Sequence, residues 1–182
     1  MDSTEKISIN FSELDPGSYD YEFHVSDAFF QQFENTLIQK GRAKVNVSLV
    51  KHGHLMEAFV DFSALLNLNC DRCLGEVAIP FEGSDQCLIR PVTGDEKNAD
   101  ANLIDINPNA VEVDLSLFVY ETICLELPLV VVPCEIIDDE SVCDKEMLNK
   151  LNELSLKEEK KEKPGDAPGI WDKLKGFSPE DN

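Results

Sequence analysis

Apolar side chains recur at every second position over most of the first two-thirds of the chain. Ile7, Ile9 and Phe11 alternate with polar residues, as do Tyr19, Tyr21, Phe23 and Val25, with the turn-rich stretch SELDPGS between them. A period of two predicts strands with one buried face. Ser26 stands where a helix N-cap belongs, and DAFFQQFENTLIQ reads as a short helix closed near Gly41. Val45, Val47 and Leu49 resume the alternation, and KHGH at 51–54 predicts a hairpin turn. Met56, Ala58, Val60, Phe62, Ala64, Leu66 and Leu68 then mark one face of a long strand that runs straight into Cys70.

Beyond Cys73 the pattern returns with Val77, Ile79 and Phe81, then Cys87, Leu88 and Ile89. The sequence CDRCLGE therefore forms the tip of a hairpin. A polar loop covers 93–102, and LIDI (103–106) and 111–113 are short extended pieces. Asp114 is placed to cap the helix LSLFVYETICLEL, which ends at Pro128. PLVVVPC leads into the acidic loop EIIDDESVC, and a charged helix from Asp144 carries Leu148, Leu151 and Leu154 on one side. The expected fold is α+β: a mostly antiparallel β-sheet domain over 1–154, with two or three helices and a flexible C-terminal tail. That tail divides into a charged linker, 155–169, and a short amphipathic element, 170–178. In the latter, Ile170, Leu174 and Phe177 fall at i, i+4 and i+7 with Trp171 beside them. No internal repeat is visible.

Charge narrows the classes of function. The chain carries a formal net charge of −20, and residues 1–143 hold 26 acidic against 8 basic side chains. Nucleic-acid binding rests on cations that neutralise phosphates, so a general RNA- or DNA-coating role is disfavoured. A basic protein partner fits this field better, although acidity also serves solubility. No run of about 18 apolar residues is present to span a membrane. The start, MDSTEKIS, lacks a basic segment followed by an apolar one, so no secretory signal is read. A cytoplasmic location is the expectation, and there six cysteines act as thiols or metal ligands rather than as a disulfide framework.

A redox dithiol wants its CxxC at a helix start, where the dipole lowers the first thiol's pKa. Here a strand pattern follows, and Asp71 would raise Cys70, with Arg72 a partial offset. A metal knuckle wants the turn-between-strands context that CDRCLGE has, and zinc needs two further ligands. Cys124 lies in an apolar helix and Cys87 in a strand, so both read as packing. Cys134 and Cys143 share one proline-led loop able to fold back on the hairpin tip. The expected metal site is thus zinc, in a structural role, held by Cys70, Cys73, Cys134 and Cys143. The thiol redox protein stays open as the alternative. His52 and His54 flank a predicted turn and His24 points outward, so all three read as solvated. No Ser/His/Asp grouping, phosphate-cradling loop or HExxH motif appears, so no enzyme and no small-molecule substrate are expected. The Trp171, Leu174 and Phe177 element is too short to be stable alone, so it docks on its own domain or in a partner groove.

Taken in order, NLNCDRCLGEVAIPFE, VEVDLSLFVYETICLELPLVVVPC, an acidic loop with a cysteine and a terminal IWDKLKGF resemble the YceD-like family. Its members are called large ribosomal RNA subunit accumulation proteins. The resemblance implies a non-enzymatic cytoplasmic factor needed for large-subunit ribosomal RNA to be made or kept. It matches Cys70 and Cys73 to the family's first cysteine pair, and places Cys134 and Cys143 in its second, more variable region. Trp171, Lys173 and Leu174 match its terminal motif. Combined with the charge, it implies an acidic adaptor for a basic ribosomal or ribosome-assembly protein, meeting ribosomal RNA indirectly or within a complex.

Overall fold

A computed structural model describes residues 5–33, 38–93, 102–137, 139 and 142–155. In chain order its elements are β1 (Ser8–Asn10), β2 (Gly17–Val25), α1 (Asp27–Gln31), β3 (Lys40–His52), β4 (Leu55–Asn69) and β5 (Glu76–Pro91). There follow β6 (Leu103–Ile106), β7 (Glu112–Asp114), α2 (Ser116–Leu125), α3 (Pro133–Ile136) and α4 (Lys145–Leu154). The fold is α+β and mostly antiparallel, as the alternation predicts. Met1–Leu148 form one compact unit and Asn149–Asn182 a second, whose described residues are 149–155. The linker and the Trp171, Leu174 and Phe177 element lie outside the described residues, apart from Ser155. Among the described residues no helix is long and apolar enough to cross a membrane.

The main sheet runs β2-β3-β4-β5-β6, antiparallel throughout except for the last pair, and a separate ribbon pairs β1 with β7. Its inner face is the one read from the sequence: Val45, Val47 and Leu49 of β3, and all seven alternating positions of β4 from Met56 to Leu68, are buried. The β1–β7 ribbon, α1 and α2 complete that core with Ile7, Ile9, Val113, Phe29, Phe30, Val119, Tyr120 and Ile123. Phe33 stacks on Tyr120 at 4.1 Å between ring centroids, tying the end of α1 to α2. The hairpin between β3 and β4 turns at Gly53, whose φ of +63° an L side chain would resist.

The helix expected to run from Asp27 toward Gly41 is shorter than the sequence suggests, and α1 ends at Gln31. Phe29 and Phe30 are buried within that span, and Phe33, just beyond it, packs partly buried against the core. Gly41 does not close a helix. It lies within β3, paired to Leu66 and buried. A Cβ there would come within 2.7 Å of Leu66 Cδ2 and 3.1 Å of the Leu65 carbonyl oxygen. Sheet pairing, which begins at Lys40, therefore overrides the reading of Gly41 as a helix end. The segment read as an acidic loop also contains a single helical turn, α3, started by Pro133 at its first position.

Because Leu66 is fully buried and cannot swing aside, Gly41→Ala should lower the unfolding free energy by about 1–3 kcal/mol. Urea denaturation measures it. An unchanged midpoint would mean that β3 and β4 do not approach this closely.

Candidate metal centre

The hairpin of β4 and β5 decides where the site lies. Its strands pair continuously from Met56–Ile89 to Asn69–Glu76, so the intervening residues 70–75 form its tip. There the Cys70 N–H donates to the Gly75 carbonyl and the Leu74 N–H to the Cys70 carbonyl, each at 2.8 Å. Leu74 takes φ +60°, a left-handed conformation that closes the turn. The two thiols are thereby turned to one side. Cys70 is 0% and Cys73 2% exposed, an unusual burial for a hairpin tip.

What covers them is the later chain. Asp71 brackets Val131: its N–H donates to the Val131 carbonyl at 2.8 Å, and its carboxylate accepts from the Val131 N–H at 2.6 Å. This double bond delivers Pro133 and Cys134 to the tip. Farther on, Asp144 caps α4, its carboxylate accepting from the Glu146 and Met147 N–H groups at 2.9 and 3.2 Å. Its own N–H donates to Cys73 Sγ at 3.4 Å, which holds neighbouring Cys143 against the turn.

Three sulfurs result within 4.8 Å of one another, those of Cys70, Cys73 and Cys143. Sulfurs bound tetrahedrally to zinc at about 2.3 Å lie about 3.8 Å apart, so the group has the right size for an ion. Backbone donors already face it: Cys70 Sγ accepts from the Arg72 and Cys73 N–H groups, both at 3.4 Å. Burial pushes the Cys70 thiol up against those donors. The N–H groups of Asp144 and Gly75 hold the Cys73 thiol below its ordinary value. Cys143 is raised, first by its hydrogen bond with Cys134 and then by burial. Without a cation to share their charge, Cys70 and Cys143 are thus held toward the neutral thiol, while Cys73 leans toward the thiolate.

Cys134 packs in the same buried cluster, with Val132, Val142, Met147 and Leu148 around it, but stands outside the tight group of three. Arg72 explains its position. Its Nη2 lies 2.7 Å from Cys134 Sγ and 3.9 Å from Cys143 Sγ, while Nη1 reaches the Glu135 carboxylate at 3.4 Å. The remaining cysteines are packing groups. Cys87 is buried in β5 with its thiol pushed up to about 12 by burial, and Cys124 lies on α2 against the core. His24, His52 and His54 are exposed.

Three residues shape the site beyond the expected ligands: Asp71, Arg72 and Asp144. Asp71 acts through Val131 rather than by raising Cys70, whose shift comes chiefly from burial. Arg72 is the only Lys or Arg between Lys51 and Arg90, a singularity that was readable. Asp144 precedes an amphipathic run and was readable as a cap. The Asp71–Val131 bracket carries no sequence signal.

A family model described as large ribosomal RNA subunit accumulation protein YceD matches residues 60–178, more than half of the chain. No curated protein and no solved structure matches it.

If the bracket positions the second cysteine segment, Asp71→Ala should speed hydrogen exchange of the Val131 amide about tenfold or more, since bonds to a charged group contribute about 1.5–3 kcal/mol. Amides of β3 and β4 should keep their protection. Equal exchange at Val131 in both proteins would show that other contacts hold the segment.

Proposed function

Because the chain belongs to the YceD family of large ribosomal RNA subunit accumulation proteins, we propose that it is a non-enzymatic cytoplasmic factor of large-subunit biogenesis. It acts as an acidic adaptor that holds a basic ribosomal or ribosome-assembly protein. Ribosomal RNA is then met within that complex. The observation that carries this reading is the charge. At −20, with 26 acidic and 8 basic residues in the first 143, the body repels phosphate and attracts cationic protein.

In the same reading, Cys70, Cys73, Cys134 and Cys143 hold one structural zinc. The three clustered sulfurs and the N–H donors aimed at them support it. Cys134 completes the set once the Arg72 guanidinium moves outward toward Glu135. Cysteine thiolates binding zinc contribute about 10–16 kcal/mol in small domains, enough to fix a segment with little apolar surface of its own.

Native mass spectrometry tests the zinc. Protein purified without added metal or chelator should carry one zinc per chain, and the Cys134→Ser/Cys143→Ser double variant none. Metal-free wild type with freely titrating thiols would remove the clip and restore the redox reading for Cys73. The adaptor role is tested separately. At physiological salt the protein should bind purified large-subunit ribosomal proteins and leave large-subunit RNA fragments free. Tight RNA binding without affinity for those proteins would overturn it.

A further inference from the structure

Each segment that meets at the cysteine cluster carries large aliphatic side chains that the fold leaves in water. Leu74 follows the CxxC and is 70% exposed; Leu129 is fully exposed; Val130 is 63% exposed; Ile136 on α3 is 41% exposed. Single exposed leucines are ordinary on protein surfaces. Several on segments that meet at one buried cluster are a candidate contact surface. These four are also held in place. Leu74 is locked by the turn, Leu129 and Val130 immediately precede the Asp71–Val131 bracket, and Ile136 follows the buried Cys134. A protein fixing exposed aliphatic groups this firmly has presented them rather than failed to bury them.

The charge around them indicates the kind of partner. Residues 125–144 contain Glu126, Glu135, Asp138, Asp139, Glu140 and Asp144, and no Lys or Arg. The nearby cation, Arg72, is engaged by Glu135 and Cys134. Apolar anchors on so acidic a stretch of chain suit a cationic segment with aliphatic or aromatic anchors of its own. They do not suit nucleic acid, and a second copy would bring two strongly acidic surfaces together.

We propose that Leu74, Leu129, Val130 and Ile136 form the docking surface for a short basic segment of a partner protein, anchored by apolar side chains. The inference rests on the adaptor reading and gives it a location. The cysteine cluster then has a purpose beyond stability, because it joins the two chain segments that carry the anchors.

The test uses full-length protein and a panel of individually purified large-subunit ribosomal proteins, with affinities measured by surface plasmon resonance. Leu129→Ser/Val130→Ser removes two anchors from exposed positions, so the melting temperature should hold. Leu74→Asn removes a third while keeping a residue that tolerates positive φ. Each variant should weaken the best-binding partner at least tenfold, in line with the burial of one or two aliphatic groups. Leu55→Ser, at the β3–β4 turn and 48% exposed, should bind as the wild type does. Raising the salt should weaken the wild-type complex. A wild type that binds a panel member while both anchor variants match it would overturn the surface and spare the adaptor role. A wild type that binds none of the panel would overturn both. If the anchor variants change only self-association, seen by sedimentation, the surface serves a second copy and the proposal is wrong.

Discussion

The register of β4 against β5 is the constraint from which the cluster follows. Side chains alternate along a strand, so a slip of one residue would turn Leu66, Leu68 and Ile79 from the core to solvent. That penalty pins the pairing over the full length of the hairpin, and the pinned pairing leaves only residues 70–75 to make the turn. Cys70 and Cys73 therefore have little freedom. Their sulfurs are presented by the most tightly specified part of the sheet, and the later, irregular chain comes to them.

That later chain has few means of holding itself. The second buried cluster consists of four cysteines with Val132, Val142, Met147 and Leu148 only partly covered around them. Fixing each backbone residue costs about 1–2 kcal/mol, and so few partly buried aliphatics cannot offset that cost along the whole acidic segment. Directional contacts carry what apolar area does not: the two bonds of Asp71 to Val131, the Asp144 cap, and the N–H groups aimed at sulfur. A metal bound by the thiols would add its strength at the point where these contacts converge.

The limits of sequence reading fall along the same division. Period-two alternation identified β2 to β5 and their buried face because one-sided burial leaves a repeating trace. It even located the cysteine pair at a hairpin tip. It failed at Lys40 and Gly41, where the expected end of a helix and a strand pairing compete; Gly41 is a glycine because Leu66 and the Leu65 carbonyl leave no room, a reason visible only in three dimensions. It grouped Cys134 and Cys143 with the knuckle by elimination, and the fold brings both there. It did not foresee that Cys143 would join the tight group while Cys134 faces Arg72, because no periodicity records a guanidinium crossing between segments.

Arg72 also connects the cluster to the charge of the whole molecule. Were four thiolates to share one divalent ion, they would carry a net charge of two minus, added to a chain already strongly negative. Arg72, the lone cation of this stretch, would offset that excess locally from the Glu135 side once Cys134 joined the ion. It would leave most of the acidic charge uncompensated, because Arg72 is a single cation against a formal net charge of −20. That uncompensated charge acts over a Debye length of about 8 Å at physiological salt. A cationic protein segment is drawn to such a field and phosphate is turned away. The charge that a thiolate cluster must tolerate and the charge that would favour a cationic partner are thus of the same sign.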